Sequence, residues 1–159
     1  VPADGAPIAA APTEVNEERG GLVRGYVHDE NAFAMGGISG HAGLFATATD
    51  VARIGACFLG RGREFLSPRL VDEVLRPQTQ VGSSRGVGFD LLARGSFAGS
   101  LVSPQTFGHT GFTGTSLVCD PVRDMVVVLL TNRVHPTRVN GRILAARQRL
   151  HDVVFGSCD

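Results

Sequence analysis

Residues 107–131 read FGHTGFTGTSLVCDPVRDMVVVLLT, and the fold is decided here. Three β-rich runs follow one another: Thr106–Gly111, Thr113–Asp120 and Met125–Thr131. Branched and aromatic side chains favour such extended runs because they pack well on a pleated surface. Pro121–Asp124 has room only for a tight turn, so the last two runs form a hairpin. Met125–Leu130 is uninterrupted apolar sequence, the pattern of a strand covered on both faces. A further β-rich run, Val87–Leu92, precedes them. The expectation is a four-stranded antiparallel sheet.

Helices flank that sheet on both sides in the sequence. Thr47 stands three residues before Asp50, a shortened capping box, and Val51, Ile54, Phe58 and Leu59 recur behind it at helical spacing, with Gly60 at the end. A second helix fits Pro68–Leu75, with Ser67 as N-cap, Pro68 in the first turn and Pro77 beyond it. Its apolar face is Leu70, Val71, Val74 and Leu75. A last helix runs from about Asn140 to Val154, its stripe formed by Ile143, Leu144, Arg147, Leu150 and Val154, with Gly156 following. Gly20–Gly43 holds too much glycine for a long helix and reads as an ordered loop with a short strand at Leu22–Val27. The fold class is therefore α+β, an antiparallel sheet flanked by helices. Residues 1–12, rich in Ala and Pro, read as a linker or frayed end, and 13–156 as the folded part.

Composition narrows the function classes. Of 159 residues 43% are hydrophobic and 19% charged, which is globular rather than disordered, and 15 basic residues balance 15 acidic ones. With no run of like charge, no nucleic-acid partner is expected. The longest apolar run, Met125–Leu130, falls far short of the ~20 residues that span a bilayer, so no membrane span is expected either. The chain opens on Val, so the lack of a leader says little about compartment. Cys57, Cys119 and Cys158 are too few and too scattered for a disulfide scaffold or a zinc knuckle; they read as two buried small hydrophobes and a tail thiol. There is no lysine anywhere. Any mechanism that needs one must take it from another segment.

The chemistry concentrates in FGHTGFTGTS. His109 and Thr110 can donate to an anionic or carbonyl group, Gly111 lets a substrate backbone approach closely, and a free strand edge can pair with a peptide-like ligand. On its own the triplet is equally a glycine-containing turn with a polar histidine. Together with GGISGHAGLFATATDVARIG at Gly36–Gly55 and DMVVVLLTNR at Asp124–Arg133, it resembles the serine hydrolases of the class C β-lactamase and penicillin-binding-protein group. The nearer likeness is to esterase-like members with a GxVHDENA-type loop, here Gly25–Ala32. The match is collinear from about Ala11 to Val154.

The resemblance implies a larger α/β/α sandwich and three motifs: a Ser-x-x-Lys nucleophile, a Tyr-x-Asn base, and Lys- or His-Thr-Gly. Only the third is present, since lysine is absent and Tyr26 sits in Tyr-Val-His. The other two normally lie upstream, so the chain is expected to be the C-terminal, substrate-facing half of such an enzyme and inactive alone. His109 would face the substrate, Thr110 would bind its carboxylate or carbonyl, and the N–H of Phe112 would form half of the oxyanion hole; Gly111 and Gly114 would keep the strand edge open. The substrate would be a small acyl, β-lactam or peptide-like molecule cleaved through an acyl-enzyme, with no cofactor. The group is commonly found in the envelope or secreted. The apolar 125–131 strand would be central in the whole enzyme, so its edge is expected to pair with the missing N-terminal half or with a second copy.

Other candidates remain beside this. Ser39 in Gly-Ile-Ser-Gly-His nearly matches Gly-x-Ser-x-Gly, but no apolar strand leads into it as a nucleophile elbow requires. A loop closing onto the next helix, braced or capped by His41, is the alternative. His28, Asp29, Glu30 and His41 could assemble a metal site, yet their spacing matches no zinc pattern, and such residues also serve as turn hydrogen-bonders. Glu14 and Arg19 read as a solvated ion pair, and His135 and His151 as surface or packing residues. Besides the hydrolase, a non-catalytic ligand- or partner-binding fragment and a metal-dependent domain therefore stay open.

Overall fold

A computed structural model describes residues 9–61, 64–78, 84–92 and 96–158, and the chain divides into two compact units. The first holds Val1–Ala46 and Thr131–Gly141, the second Thr47–Leu130 and Arg142–Asp159.

In the first unit, β1 (Val15–Asn16) pairs antiparallel with β2 (Gly21–Leu22) around the single 3-10 turn Glu17–Arg19. The strand expected over Leu22–Val27 stops at Leu22, and Gly25 at φ +76° takes the chain out of the extended region. The glycine-dense stretch contains a short helix that its composition hides, α1 (Glu30–Ala34). Asp29 caps it by accepting the Ala32 N–H at 2.8 Å. Val23, Val27, Ala32 and Val134 are buried, a small apolar core.

The expected solvated Glu14–Arg19 pair does not form. Glu14 is buried and takes the Arg138 Nε at 2.8 Å and the His28 Nε2 at 2.9 Å, while Arg138 also reaches Glu30 at 2.6 Å. Arg19 instead lies 4.0 Å over the Phe33 ring and donates to the Val27 and His28 carbonyls. Local charge pattern misleads here because the true partner of Glu14 is 124 positions away.

The second unit follows its sequence more closely. α2 (Ala48–Ala56) starts at Thr47, whose hydroxyl accepts the Asp50 N–H, and continues through a wide turn at Cys57–Arg61 with Gly60 at φ +84°. α3 (Pro68–Leu75) has the expected Ser67 cap and proline start. β3 (Asp90–Leu91), β4 (Phe107–Thr110), β5 (Ser116–Asp120) and β6 (Met125–Leu129) form one antiparallel sheet in that order. The first and third strands are shorter than the β-rich runs, because Gly88 (φ +76°) and Gly114 (φ +110°) turn the backbone. β6 is an edge strand with only Val127 fully buried and Leu130 exposed, so it is half-covered rather than covered on both faces. α2 packs directly on β5 and β6. A side chain at Gly55 would meet Val126 Cγ1 at 2.7 Å and Cys119 Sγ at 3.0 Å.

α4 (Ile143–Gly156) begins three residues later than expected and buries the expected stripe only in part, at Arg147 and partly at Val154. Arg147, His151 and Phe155 face inward, whereas Leu144 and Leu150 are exposed. His151 Nδ1 donates to the Phe97 carbonyl at 3.4 Å while its Nε2 is buried without a hydrogen-bond partner among the described residues, and burial lowers the His151 pKa. The core is Leu92, Ala98, Val102, Val118, Val127 and Phe155. His135 is exposed, Cys57 half-buried, Cys119 buried and Cys158 exposed.

Candidate active site

β4 carries the His-Thr-Gly triplet to the end of the sheet. Its register with β5 sets Gly108 against Val118, His109 against Leu117 and Thr110 against Ser116. His109 is exposed, Thr110 half-buried and Phe112 exposed. Gly108 is required for strand contact, since a Cβ there would lie 2.3 Å from the Leu117 carbonyl oxygen. Gly111 is less constrained, its would-be Cβ 2.2 Å from the side-chain Oγ1 of Thr115. Beyond it the chain closes on itself. Gly111 N–H donates to the Thr115 carbonyl at 2.9 Å, and Gly114 N–H to the Gly111 carbonyl at 3.0 Å.

The outcome is a tight glycine turn at a strand end, with a histidine and a threonine side by side before it and an exposed residue, Phe112, at its tip. Such a turn can present backbone N–H groups to a developing negative charge without reorganising. Cys119, toward the far end of β5, offers no nucleophile, because burial pushes its thiol up to about 12. At the far end of β5, Asp120 braces the hairpin. Burial raises its pKa, but donors from Ser103 and Arg123 outweigh that and keep it ionised.

The other candidates gather in the first unit. Ser39 Oγ donates to His41 Nδ1 at 2.6 Å, and His41 Nε2 donates to Asp29 Oδ1 at 2.9 Å. The Ala32 N–H first, and His41 next, hold the Asp29 carboxyl below its ordinary range. His41 thus braces the glycine loop to the cap of α1. The loop walls an open cavity of about 750 Å³ lined by Tyr26, Phe33, Ile38, Ser39, Leu44 and Phe45 among others. His28 and Glu30 are drawn away from this chain into the Glu14–Arg138 cluster. Among the described residues, no group of three or more His, Cys, Asp or Glu is arranged to hold a metal ion. Sequence reading missed the role of Asp29, although Asp three residues before Ala32 is an N-cap signal.

The chain belongs to the Beta-lactamase family, whose profile matches residues 1–151. It is 40% identical over 119 residues to an Escherichia coli O157:H7 protein named "Putative D-alanyl-D-alanine carboxypeptidase", covering 70% of this chain and 27% of that protein. A protein of the same name from Escherichia coli K12 is 40% identical over 118 residues, again 70% of this chain and 27% of the relative. One from Salmonella agona is 38% identical over 127 residues, 75% of this chain and 29% of the relative. The chain therefore spans little more than a quarter of the length of these curated relatives. No solved structure matches it. No helix among the described residues is long and apolar enough to cross a membrane.

Proposed function

We propose that the chain is the substrate-facing part of a serine hydrolase of the D-alanyl-D-alanine carboxypeptidase type, acting on a peptide or related acyl substrate. One observation carries this reading: the strand-end His109-Thr110-Gly111 leads into a closed glycine turn with Phe112 at its tip, in a chain of this family. A serine outside these 159 residues attacks the scissile carbonyl, forming an ester and expelling the leaving amine, D-alanine in the carboxypeptidase case. Water then hydrolyses the ester and frees the serine. His109 donates toward the substrate, Thr110 binds its carboxylate, and the Phe112 N–H shares the oxyanion with the N–H of the serine.

Alone the chain turns nothing over, because it supplies no lysine and only half of that hole. Loss of one oxyanion donor typically costs on the order of 10²–10³ in rate. The outer edge of β6 takes a strand from the remaining segment or, without it, from a second copy.

The test pairs the full-length protein with the isolated chain. D-alanine release from a D-Ala-D-Ala tripeptide, and labelling by a fluorescent penicillin, are expected only in the former. His109→Ala and Thr110→Ala are expected to lower acylation roughly 100-fold. Nitrocefin or p-nitrophenyl acetate turnover by the pure 159-residue chain would overturn the half-site reading. Sedimentation of the isolated chain as a monomer at high concentration would refute the edge pairing.

A further inference from the structure

The turn behind His-Thr-Gly is held from an unexpected side. Arg147, on the inner row of α4, is only 4% exposed. Its Nη2 donates to the Thr115 carbonyl at 3.3 Å, and its guanidinium lies 5.9 Å from the centre of the Phe97 ring, at the limit of cation–π attraction. That carbonyl oxygen is the one that already accepts the Gly111 N–H. A carbonyl has two lone pairs, and here both are engaged, one closing the turn and one tying it to the last helix.

Burying a guanidinium is costly, and an aliphatic residue of similar volume would pack α4 at least as well. The position is occupied by a group whose directional N–H reaches a backbone oxygen of the site turn. Gly111 cannot accept a side chain without striking Thr115 Oγ1, and Gly114 is folded back on the Gly111 carbonyl. Phe112 and Thr113, the only residues left between these closures, have little conformational freedom while Thr115 stays fixed.

We infer that Arg147 is a positioning residue: by holding the Thr115 carbonyl it fixes the Gly111–Thr115 turn and so the direction of the Phe112 N–H. The catalytic half of this inference rests on the proposed function, in which that N–H faces the oxyanion. Arg147 is buried beneath the turn and acts on it through Thr115. Its effect is therefore on the transition state rather than on ground-state binding.

Two measurements test it. In the full-length protein, Arg147→Met is expected to lower kcat roughly 10- to 100-fold with KM within about twofold, the signature of a misaligned donor. Arg147→Lys, which keeps a charge and one donor, is expected to recover part of the loss and serves if the Met variant folds poorly. In the 159-residue chain, amide exchange at Gly111 and Gly114 is expected to quicken at least tenfold in both variants, while Val118 and Val127 exchange as before. Unchanged turn exchange, or a uniform rise across the sheet, overturns the inference and makes Arg147 a packing residue. So does a fall in activity carried by KM. If the unaltered full-length protein forms no acyl-enzyme, it is the hydrolase reading that fails; exchange at Gly111 then decides alone whether Arg147 holds the turn.

Discussion

The two units bury different things at their centres. The second buries an apolar cluster, from Leu92 and Val118 to Phe155, beneath a sheet whose ladder is regular, with Asp120, Arg147 and His151 buried outside that cluster. The first buries a carboxylate: Glu14 is held by Arg138 and His28. Apolar burial is non-directional and nearly indifferent to pH, whereas a buried ion pair depends on both partners, their geometry and their protonation. The apolar cluster of the second unit should therefore respond to lost volume and the Glu14 cluster of the first to lost charge.

Phe155→Ala probes lost volume and has the largest expected effect. The ring is fully buried, so its removal should cost about 4 kcal/mol in denaturant unfolding, by an amount that stays level above pH 6.5, where the neighbouring His151 takes up no proton on unfolding. A cost that varied strongly with pH above 6.5 would break the contrast, because it would place a titration other than that of His151 against the apolar core.

Glu14→Gln probes lost charge. Leaving Arg138 without its main partner should cost about 3 kcal/mol near neutral pH. The Arg138 hydrogen bonds hold the Glu14 carboxyl down to about 2 from an ordinary 4.5, with His28 assisting and burial opposing. Because the folded pKa lies below the unfolded one, this stability is present above pH 4.5 and is lost as pH falls through 2. The original chain should show that acid loss and the variant should not. Exchange protection should drop around Val23 and Val27 and hold at Val118. Equal loss at all three would erase the distinction between the regions.

Ser67→Ala is a milder change within the second unit. Removing the hydroxyl that accepts the Leu70 N–H should cost about 1 kcal/mol, seen as faster exchange in α3 alone. An effect as large as that of Glu14→Gln would show that this unit, too, hangs on single polar contacts.

The same contrast explains what was legible beforehand. Thr47, Ser67 and Pro121–Asp124 act on residues within a few positions, so both helix starts and the hairpin can be read directly. The His-Thr-Gly strand end is legible for the same reason. Glu14 and Arg138 cannot be joined from sequence, because nothing local marks two charges 124 positions apart as a pair. The inner row of α4 is only partly legible: the periodic stripe includes Arg147, which is buried, but also Leu144 and Leu150, which are exposed, and it omits His151 and Phe155, whose burial depends on what tertiary structure brings against them. α1 is obscured by its glycine-rich surroundings, although Asp29 announces it.

Ser39→Ala has the smallest expected effect and asks whether the glycine loop follows the rule of its own unit. Its hydroxyl meets His41 Nδ1 near the surface, where water replaces a lost partner cheaply. The cost should be about 0.5 kcal/mol, with faster exchange confined to residues 37–43. Asp29→Ala should do more, because the same carboxylate oxygen that takes His41 also caps α1 through the Ala32 N–H. If Ser39→Ala instead loosened α1 as much as Asp29→Ala does, the Ser39–His41–Asp29 chain would be acting as one cooperative network. The loop would then be held as the Glu14 cluster is, by linked polar contacts, and not by the conformational preferences of its glycines.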